Sequence, residues 1–321
     1  MPKMSSESAA PCHRTTLHGP TMGTRWSVRV DAENTVDLAA LRLDLARAVE
    51  QVDAQMSPWK PDSDLLRLNR APVGDWVDLP MQTMEVLACA LEVHRLSAGA
   101  FDPCVGPLVD AWGFGAVRET PDPEAIRMAR QPTPHHANGC LELDSRAGRA
   151  RKHDPVQLDL CGIAKGYAVD RMVSVLQQHG VRHALASLDG ELRALGPQAS
   201  GAPWAVALER PEAGRRAAHG VIELDDVAVA TSGDYRRFLQ VGDTRLAHTM
   251  DPRRRAPVNN AVASVTVLAS SCMQADAWAT ALLVAGPDDG LAMAQRMGLD
   301  VLFLLRRAEG LIEVGLGRLG H

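Results

Sequence analysis

Lysine is scarce in this 321-residue chain. Only Lys3, Lys60, Lys152 and Lys165 occur, and arginine supplies the rest of the positive charge. No apolar run approaches the roughly 18 residues of a membrane span, so no insertion into a bilayer is expected. The six cysteines are scattered without a C-x-x-C pair, which argues against a zinc site or a dense disulfide frame. A formal net charge of -5 and a pI near 6.1 give no general attraction to nucleic acid or acidic membranes. The first residues, Met1 to Thr21, are polar and lack an apolar h-region, so they do not read as a secretory signal. The location is left open between the cytoplasm and, if a signal segment has been removed, an extracytoplasmic compartment. No internal repeat is visible.

What is present is an apolar fraction of 46%, enough for a substantial core. Residues 1–20 are expected to be a polar tail without structure. Thr24 to Val30 alternates Trp26, Val28 and Val30 with polar residues and predicts a strand. From Val36 to Met56, an apolar stripe through Leu38, Leu41, Leu45, Val49, Val52 and Met56 predicts a helix, with Asn34 as its cap. Met81 to Ala98 predicts a second helix with Gly99 at C′. Between Trp112 and Pro134 the chain becomes richer in Pro, Gly and charge, and a segment of about 112–150 is expected to be peripheral, with a short helix from Pro123 to Arg130. A helix after Lys165 ends at His179-Gly180. Strands are then expected at Val181–Leu188, Leu192–Leu195, Trp204–Leu208, Ala228–Ala230, Ala263–Ala269 and Val301–Arg306, with an Asp189-Gly190 turn between the first two. Helices are expected at Gln274–Val284 and Pro287–Arg296. Without regular β-α alternation, the class is α+β.

Several short segments could carry chemistry. In Gly162-Ile163-Ala164-Lys165-Gly166-Tyr167-Ala168-Val169-Asp170, two glycines and a rare ammonium open a patterned helix, an arrangement suited to an anion. The spacing matches neither G-x-G-x-x-G nor the Walker pattern, and a plain helix entry is the alternative. Asp276 and Thr280 are four apart and share a helix face, a partial oxygen site for a hard cation such as Mg²⁺. The ordinary reading is a carboxylate favouring the helix dipole and a threonine bonding back to a carbonyl. Taken as exposed, that carboxylate is expected to contribute little to the fold. His248-Thr249-Met250-Asp251-Pro252 joins an imidazole to a carboxylate and could supply a general base, or a hydrogen-bonded structural histidine. Thr231-Ser232-Gly233 after Ala228-Val229-Ala230 suggests a strand ending in a ligand-binding or plain turn. Met56-Ser57-Pro58-Trp59 offers an aromatic plane for stacking a flavin or base, or a structural Trp.

Taken in order with Thr21-Met22-Gly23-Thr24, Ser63, Asn69 and Phe101-Asp102-Pro103-Cys104-Val105-Gly106-Pro107-Leu108, these segments resemble the ApbE family of FAD:protein FMN transferases, from about Thr21 to Ala285. The resemblance implies an ApbE-like (T-fold-like) α+β fold, a mixed sheet core packed with helices, as a single domain over 21–321. It implies a transferase that moves FMN from FAD to a Thr or Ser hydroxyl through a phosphoester, releases AMP and uses Mg²⁺. The partner implied is an acceptor protein, a redox or electron-transport subunit. By resemblance the metal is held by the carbonyl of Ala164 and the side chains of Asp276 and Thr280. Met22, Trp59, Asp102, Glu191, Thr231, Ser232, Gly233 and Met250 line the FAD pocket, and Lys165, on the geometry of its own motif, adds a donor to the FAD phosphates. His248, supported by Asp251, takes the proton of the acceptor hydroxyl. Two other readings of the same site are an FAD pyrophosphatase and a flavin-binding protein without turnover.

The chain departs from the family pattern twice. Asp189-Gly190-Glu191 stands where Gly-Gly-Asp is common, and Arg253-Arg254-Arg255 where x-Thr-Gly follows Asp-Pro. The first is expected to bring a carboxylate toward an anionic ligand, the second to bring positive charge to the phosphates or the acceptor.

Overall fold

The computed structural model describes residues 12–131, 137–212, 214, 217–241 and 244–320. Residues 1–11 of the expected tail lie outside these. From Cys12 onward the segment is not a tail but a ten-residue strand, β1 (Cys12–Thr21), paired along its whole length with β2 (Thr24–Glu33). Its polar side chains misled because β1 is an edge strand with mostly solvated residues, and its stability comes from main-chain pairing. The β1–β2 turn, Met22-Gly23, has φ of 45° and 70°, the left-handed pair that matches strand twist in a two-residue hairpin.

The chain continues through α1 (Leu38–Met56), α2 (Asp64–Arg70), β3 (Val77–Asp78), α3 (Met81–Leu96), α4 (Gly106–Ala111), α5 (Pro123–Ala129), α6 (Ala137–Cys140), β4 (Leu141–Asp144), β5 (Arg149–Lys152) and α7 (Ala164–Gln178). Then come β6 (Ala184–Leu188), β7 (Glu191–Leu195), β8 (Trp204–Glu209), β9 (Ala218–Leu224), β10 (Ala228–Gly233), β11 (Phe238–Val241) and β12 (Thr244–Ala247). The last elements are β13 (Met250–Asp251), β14 (Ala256–Pro257), β15 (Val262–Ala269), α8 (Cys272–Ala285), α9 (Pro287–Met297), β16 (Asp300–Arg307) and β17 (Gly310–Leu316). The cap of α1 is Asp37 rather than Asn34, its carboxylate accepting the N–H groups of Ala39 and Ala40 at 3.0 Å. The left-handed residue after α3 is already Ala98, at φ 51°, with Gly99 following at φ 80°.

Eight strands form one antiparallel sheet in the order β1-β2-β6-β7-β10-β15-β16-β17. Side-chain alternation divides its two faces. Val265 and Val267 of β15 and Val301, Phe303 and Leu305 of β16 enter the main core with α1, α7 and α8. Leu268, Leu302 and Leu304 point the other way, into a second core under the β8–β9 hairpin with Trp204, Val206 and Leu208. The segment expected to be peripheral is so only in part. α5 buries nothing, but Leu141 of β4 and Ala150 of β5 belong to the main core through the small sheet β3-β5-β4.

The fold positions its site mainly through α7 and α8. α8 is buried on nearly every side, between α7 and strands β10 and β15. Gly166 lets the two helices approach, since a Cβ there would overlap the carbonyl oxygen of Cys272 and lie 2.8 Å from Asp276 Cβ. Gly166→Ala is expected to cost roughly 1–3 kcal/mol, because the obstruction is backbone that cannot rotate away. Urea unfolding of the variant measures it, and a midpoint equal to wild type would show that the helices can separate freely.

Candidate functional site

The sheet's β2–β6–β7–β10 end, the start of α7, one face of α8 and the loop after α1 enclose a cleft of about 940 Å³. At its centre the ammonium of Lys165 lies 3.0 Å from Glu191 Oε1 and 3.2 Å from Asp189 Oδ2. Glu191 is buried, and its other oxygen, Oε2, has no hydrogen-bond partner among the described residues. Asp189 reaches Lys165 because the β6–β7 turn holds it at φ 54°, with Gly190 at 116°. Burial works against the charge on Lys165, but Glu191, Asp276 and Asp189 outweigh it and raise its pKa above that of an ordinary lysine.

Asp276 is not the exposed helix carboxylate that the sequence suggested. It is 4% exposed, and its Oδ2 accepts the N–H of Gly166 at 3.0 Å. Burial, then the charge of Glu191, pushes its pKa up. Burial likewise raises Glu191, against the pull of Lys165. One turn along α8, Thr280 Oγ1 lies 3.2 Å from Ser232 Oγ of β10. Thr231, Ser232 and Gly233 therefore lie on the strand itself and not in a turn beyond it. Asp276, Thr280 and Ala164, the first residue of α7, line the cleft together. Among the described residues no three His, Cys, Asp or Glu side chains gather into a metal cluster. One carboxylate, one hydroxyl and one main-chain carbonyl, beside the orphaned Glu191 Oε2, form a hard-oxygen set. Hard oxygens of this kind would suit a small divalent cation.

At the other wall, His248 Nδ1–H donates to the carbonyl of Arg237 at 3.0 Å, which leaves Nε2 unprotonated. Burial lowers the imidazole pKa to about 4. Met250 lines the cleft as well, packed with Leu108 and Phe114. Asp251 does not line it. Its Oδ1 accepts the N–H groups of Arg253 and Arg254 at 2.9 and 3.3 Å, so its carboxylate holds the loop that carries His248. The three arginines are directed elsewhere too. Arg253 faces Asp251 and Asp289, Arg254 donates to the carbonyl of Asn259, and Arg255 to those of Ala129 and Gln131. The expected positive charge at the phosphates is not supplied by this run.

The mouth is framed by Met22 in its hairpin turn and by Trp59, which is 51% exposed. Ser57 Oγ accepts the N–H of Trp59, and Ser63 Oγ donates to the carbonyl of Ser57, fixing this loop. Asp102 accepts the N–H of Cys104 at 2.8 Å. Asn69 pairs with both main-chain groups of Leu158, at 2.9 and 2.7 Å, and so anchors the segment leading into α7.

Sequence reading missed Arg237, which lines the cleft and whose charge acts on the Asp159 carboxylate of the same cleft. It also missed the Tyr235–Glu209–Arg236 group, in which both Tyr235 and Arg236 donate to Glu209 Oε2. Arginine is so abundant here that no single one stands out, and Glu209 lies outside every motif.

The sequence model of the ApbE family matches residues 22–303. The chain belongs to the ApbE family. It is 35% identical over 308 residues to the FAD:protein FMN transferase of Vibrio cholerae, covering 94% of this chain and 91% of that protein. The solved flavin transferase ApbE from Vibrio cholerae superposes with a TM-score of 0.85, at 95% coverage of this chain and 97% of that one. The Pseudomonas stutzeri flavinyl transferase ApbE superposes with a TM-score of 0.84 at 34% identity, with 96% of each chain covered. The α+β fold is that of the ApbE flavin transferases.

Because the burial of His248 disfavours its charged form, the imidazole of this ApbE protein is expected to stay neutral down to about pH 4. Proton binding is then weaker in the folded than in the unfolded state, so this residue's stability contribution improves as pH rises from about 4 toward 6.5. Imidazole NMR, assigned by loss of the signal in His248→Gln, measures the titration. A midpoint near 6.5 would contradict the burial argument.

Proposed function

We propose that this protein is an FAD:protein FMN transferase that joins FMN from FAD to a Thr or Ser hydroxyl of an acceptor protein, with Mg²⁺ as cofactor and AMP as the leaving group. The observation that carries this reading is a neutral imidazole with a free Nε2 facing the same cleft as the oxygen set of Ala164, Asp276 and Thr280. Membership of the ApbE family and the names of its relatives support it. The cleft volume falls at the upper end of the roughly 300–1,000 Å³ typical of small-molecule sites, as a dinucleotide requires.

The acceptor's oxygen attacks the phosphorus on the FMN side of the pyrophosphate. The bond from that phosphorus to the bridging oxygen breaks, and the oxygen departs with AMP. His248 Nε2 takes the hydroxyl proton, with the Arg237 carbonyl fixing the tautomer. The Arg237 guanidinium, which lines the cleft near Asp159, is available to a phosphate oxygen. Lys165, tied to Glu191 and Asp189, supplies positive field while limiting the site's net charge. Mg²⁺ held by Ala164, Asp276 and Thr280 would supply charge neutralisation on the pyrophosphate. Trp59 offers a plane to the isoalloxazine at the mouth, with Met22 and Asp102 beside it. The acceptor is a redox or electron-transport subunit, docking over the exposed Trp59 so that its hydroxyl reaches His248 inside the cleft.

Incubation with FAD, Mg²⁺ and an acceptor bearing the family's target motif is expected to add the mass of FMN to the acceptor and release one AMP per adduct. Rapid AMP release without adduct would make the protein an FAD pyrophosphatase instead, and FAD retention without AMP would leave a binding protein. His248→Ala is expected to lower the transfer rate about 10²- to 10⁴-fold. An unchanged rate would remove His248 from the role of base. Asp276→Asn is expected to abolish metal-dependent turnover, and Mg²⁺ affinity of the wild type should rise with pH as the raised Asp276 carboxyl ionises. Calorimetric Mg²⁺ titrations at two pH values check the direction, and equal affinity at both would contradict it.

A further inference from the structure

We infer that Asp170 is the positioning residue of the phosphate end of the cleft, one carboxylate that fixes the elements carrying Lys165, Glu191 and Asp276 against each other. The inference rests on the proposed function for what those side chains do, and on geometry for how they are held.

Asp170 lies in the second turn of α7, six residues after Ala164, and its side chain is 13% exposed. Its Oδ1 accepts the N–H of Cys272 at 2.9 Å, and its Oδ2 accepts that of Met273 at 2.9 Å. These are the first two amides of α8, which have no partner within their own helix. The following amide, of Gln274, is already capped from within by Ser271 Oγ. A local cap is therefore present, and the Asp170 carboxylate adds what a local cap cannot, a bond between helices.

The capping is reciprocal. Asp276, in the second turn of α8, accepts the N–H of Gly166, an amide in the first turn of α7. Each helix thus caps the start of the other with a carboxylate from its second turn, and the missing Cβ at Gly166 allows the approach. Asp170 also receives Arg193 Nη1 on Oδ1 at 2.5 Å. Arg193 is two residues along β7 from Glu191, the partner of Lys165. Strand β7 and helices α7 and α8 consequently meet at one carboxylate, with charge-assisted bonds that are stronger and more directional than neutral ones. A carboxylate at the start of α8 also complements the helix dipole, and Arg193 balances its charge.

Losing Asp170 frees α8 to shift along α7, so Asp276 can no longer reach Gly166 and the oxygen set at the same time. The loss typical of residues that orient metal ligands is about 10- to 100-fold in metal affinity. The test compares wild type with Asp170→Ala and Asp170→Asn at a temperature where thermal melts show each protein fully folded. The measurements are calorimetric Mg²⁺ titration without FAD and hydrogen exchange of the Gly166 amide. The expected result for Asp170→Ala is Mg²⁺ binding at least about tenfold weaker and Gly166 exchange at least about tenfold faster, with Asp170→Asn between it and wild type. A lower melting temperature with Mg²⁺ affinity and Gly166 protection unchanged would make Asp170 merely structural and overturn the inference. If Asp170→Ala does not fold, Asp170→Asn decides in its place. It can offer an oxygen to only one of the two amides, is expected to weaken Mg²⁺ binding several-fold and speed Gly166 exchange, and overturns the inference if both are unchanged. Failure of wild type to release AMP from FAD would sink the proposed function alone, since the amide-exchange comparison does not depend on turnover.

Discussion

The hydrogen bond from the Gly166 amide to Asp276, across 110 residues of sequence, is the constraint on which the site depends. It exists only because Gly166 has no side chain and because α8 is apolar enough to be buried between α7 and the sheet. A buried carboxylate costs several kcal/mol unless its charge is met by donors or cations. Here one backbone amide and a nearby ammonium act against burial and the charge of Glu191, which together push its pKa up. On the proposed function that incomplete compensation has a use, since a fully satisfied carboxylate would have little to offer a cation. The orphaned Oε2 of Glu191 has the same character.

Around this contact the fold arranges charge in layers. Asp276 and Glu191 are buried acids, Lys165 lies between Glu191 and Asp189, and Arg237 lines the cleft with its charge felt by Asp159. Replacing a glycine by Asp189 has not simply added repulsion toward an anionic ligand. The residue accepts a left-handed backbone, φ 54°, and spends its carboxylate on Lys165 and Thr24. The strain of a non-glycine at such a position, on the order of 1–3 kcal/mol, must be offset by those contacts and by the hairpin register.

Much of this was legible from the sequence where the period was long and the environment one-sided. Helices α1, α3, α7, α8 and α9 and the central strands follow their apolar spacing, because buried faces impose a repeat that any order of elements must respect. Strand β1 was illegible, since an edge strand needs no buried face, and so were β9, β11, β12 and β17, whose residues alternate weakly or are mostly exposed. In the site, short motifs placed Ala164, Lys165, Asp276, Thr280 and His248 on one cleft, but they could not separate a residue that faces it from one that holds its loop. Asp251 illustrates the difficulty, since its neighbours His248, Thr249 and Met250 all line the cleft while its own carboxylate turns back to two amides.

The arginine run shows why charge counted along a sequence is a poor guide to charge at a site. Arg253, Arg254 and Arg255 follow directly on the His248 loop, and three guanidiniums in line suggest a phosphate clamp. Each instead ends on an acceptor away from the cleft, and those ties fasten the loop to α5's end and to the approach to β15. The cation that does face the cleft is Arg237, carried on the segment whose carbonyl holds His248. Backbone and side chain of one residue thus serve opposite electrostatic needs. The carbonyl fixes the proton on Nδ1 and leaves Nε2 unprotonated, while the guanidinium brings positive charge to the same cleft. On the proposed mechanism any movement of that segment shifts both together, so that positioning the base and receiving the leaving charge become a single structural problem.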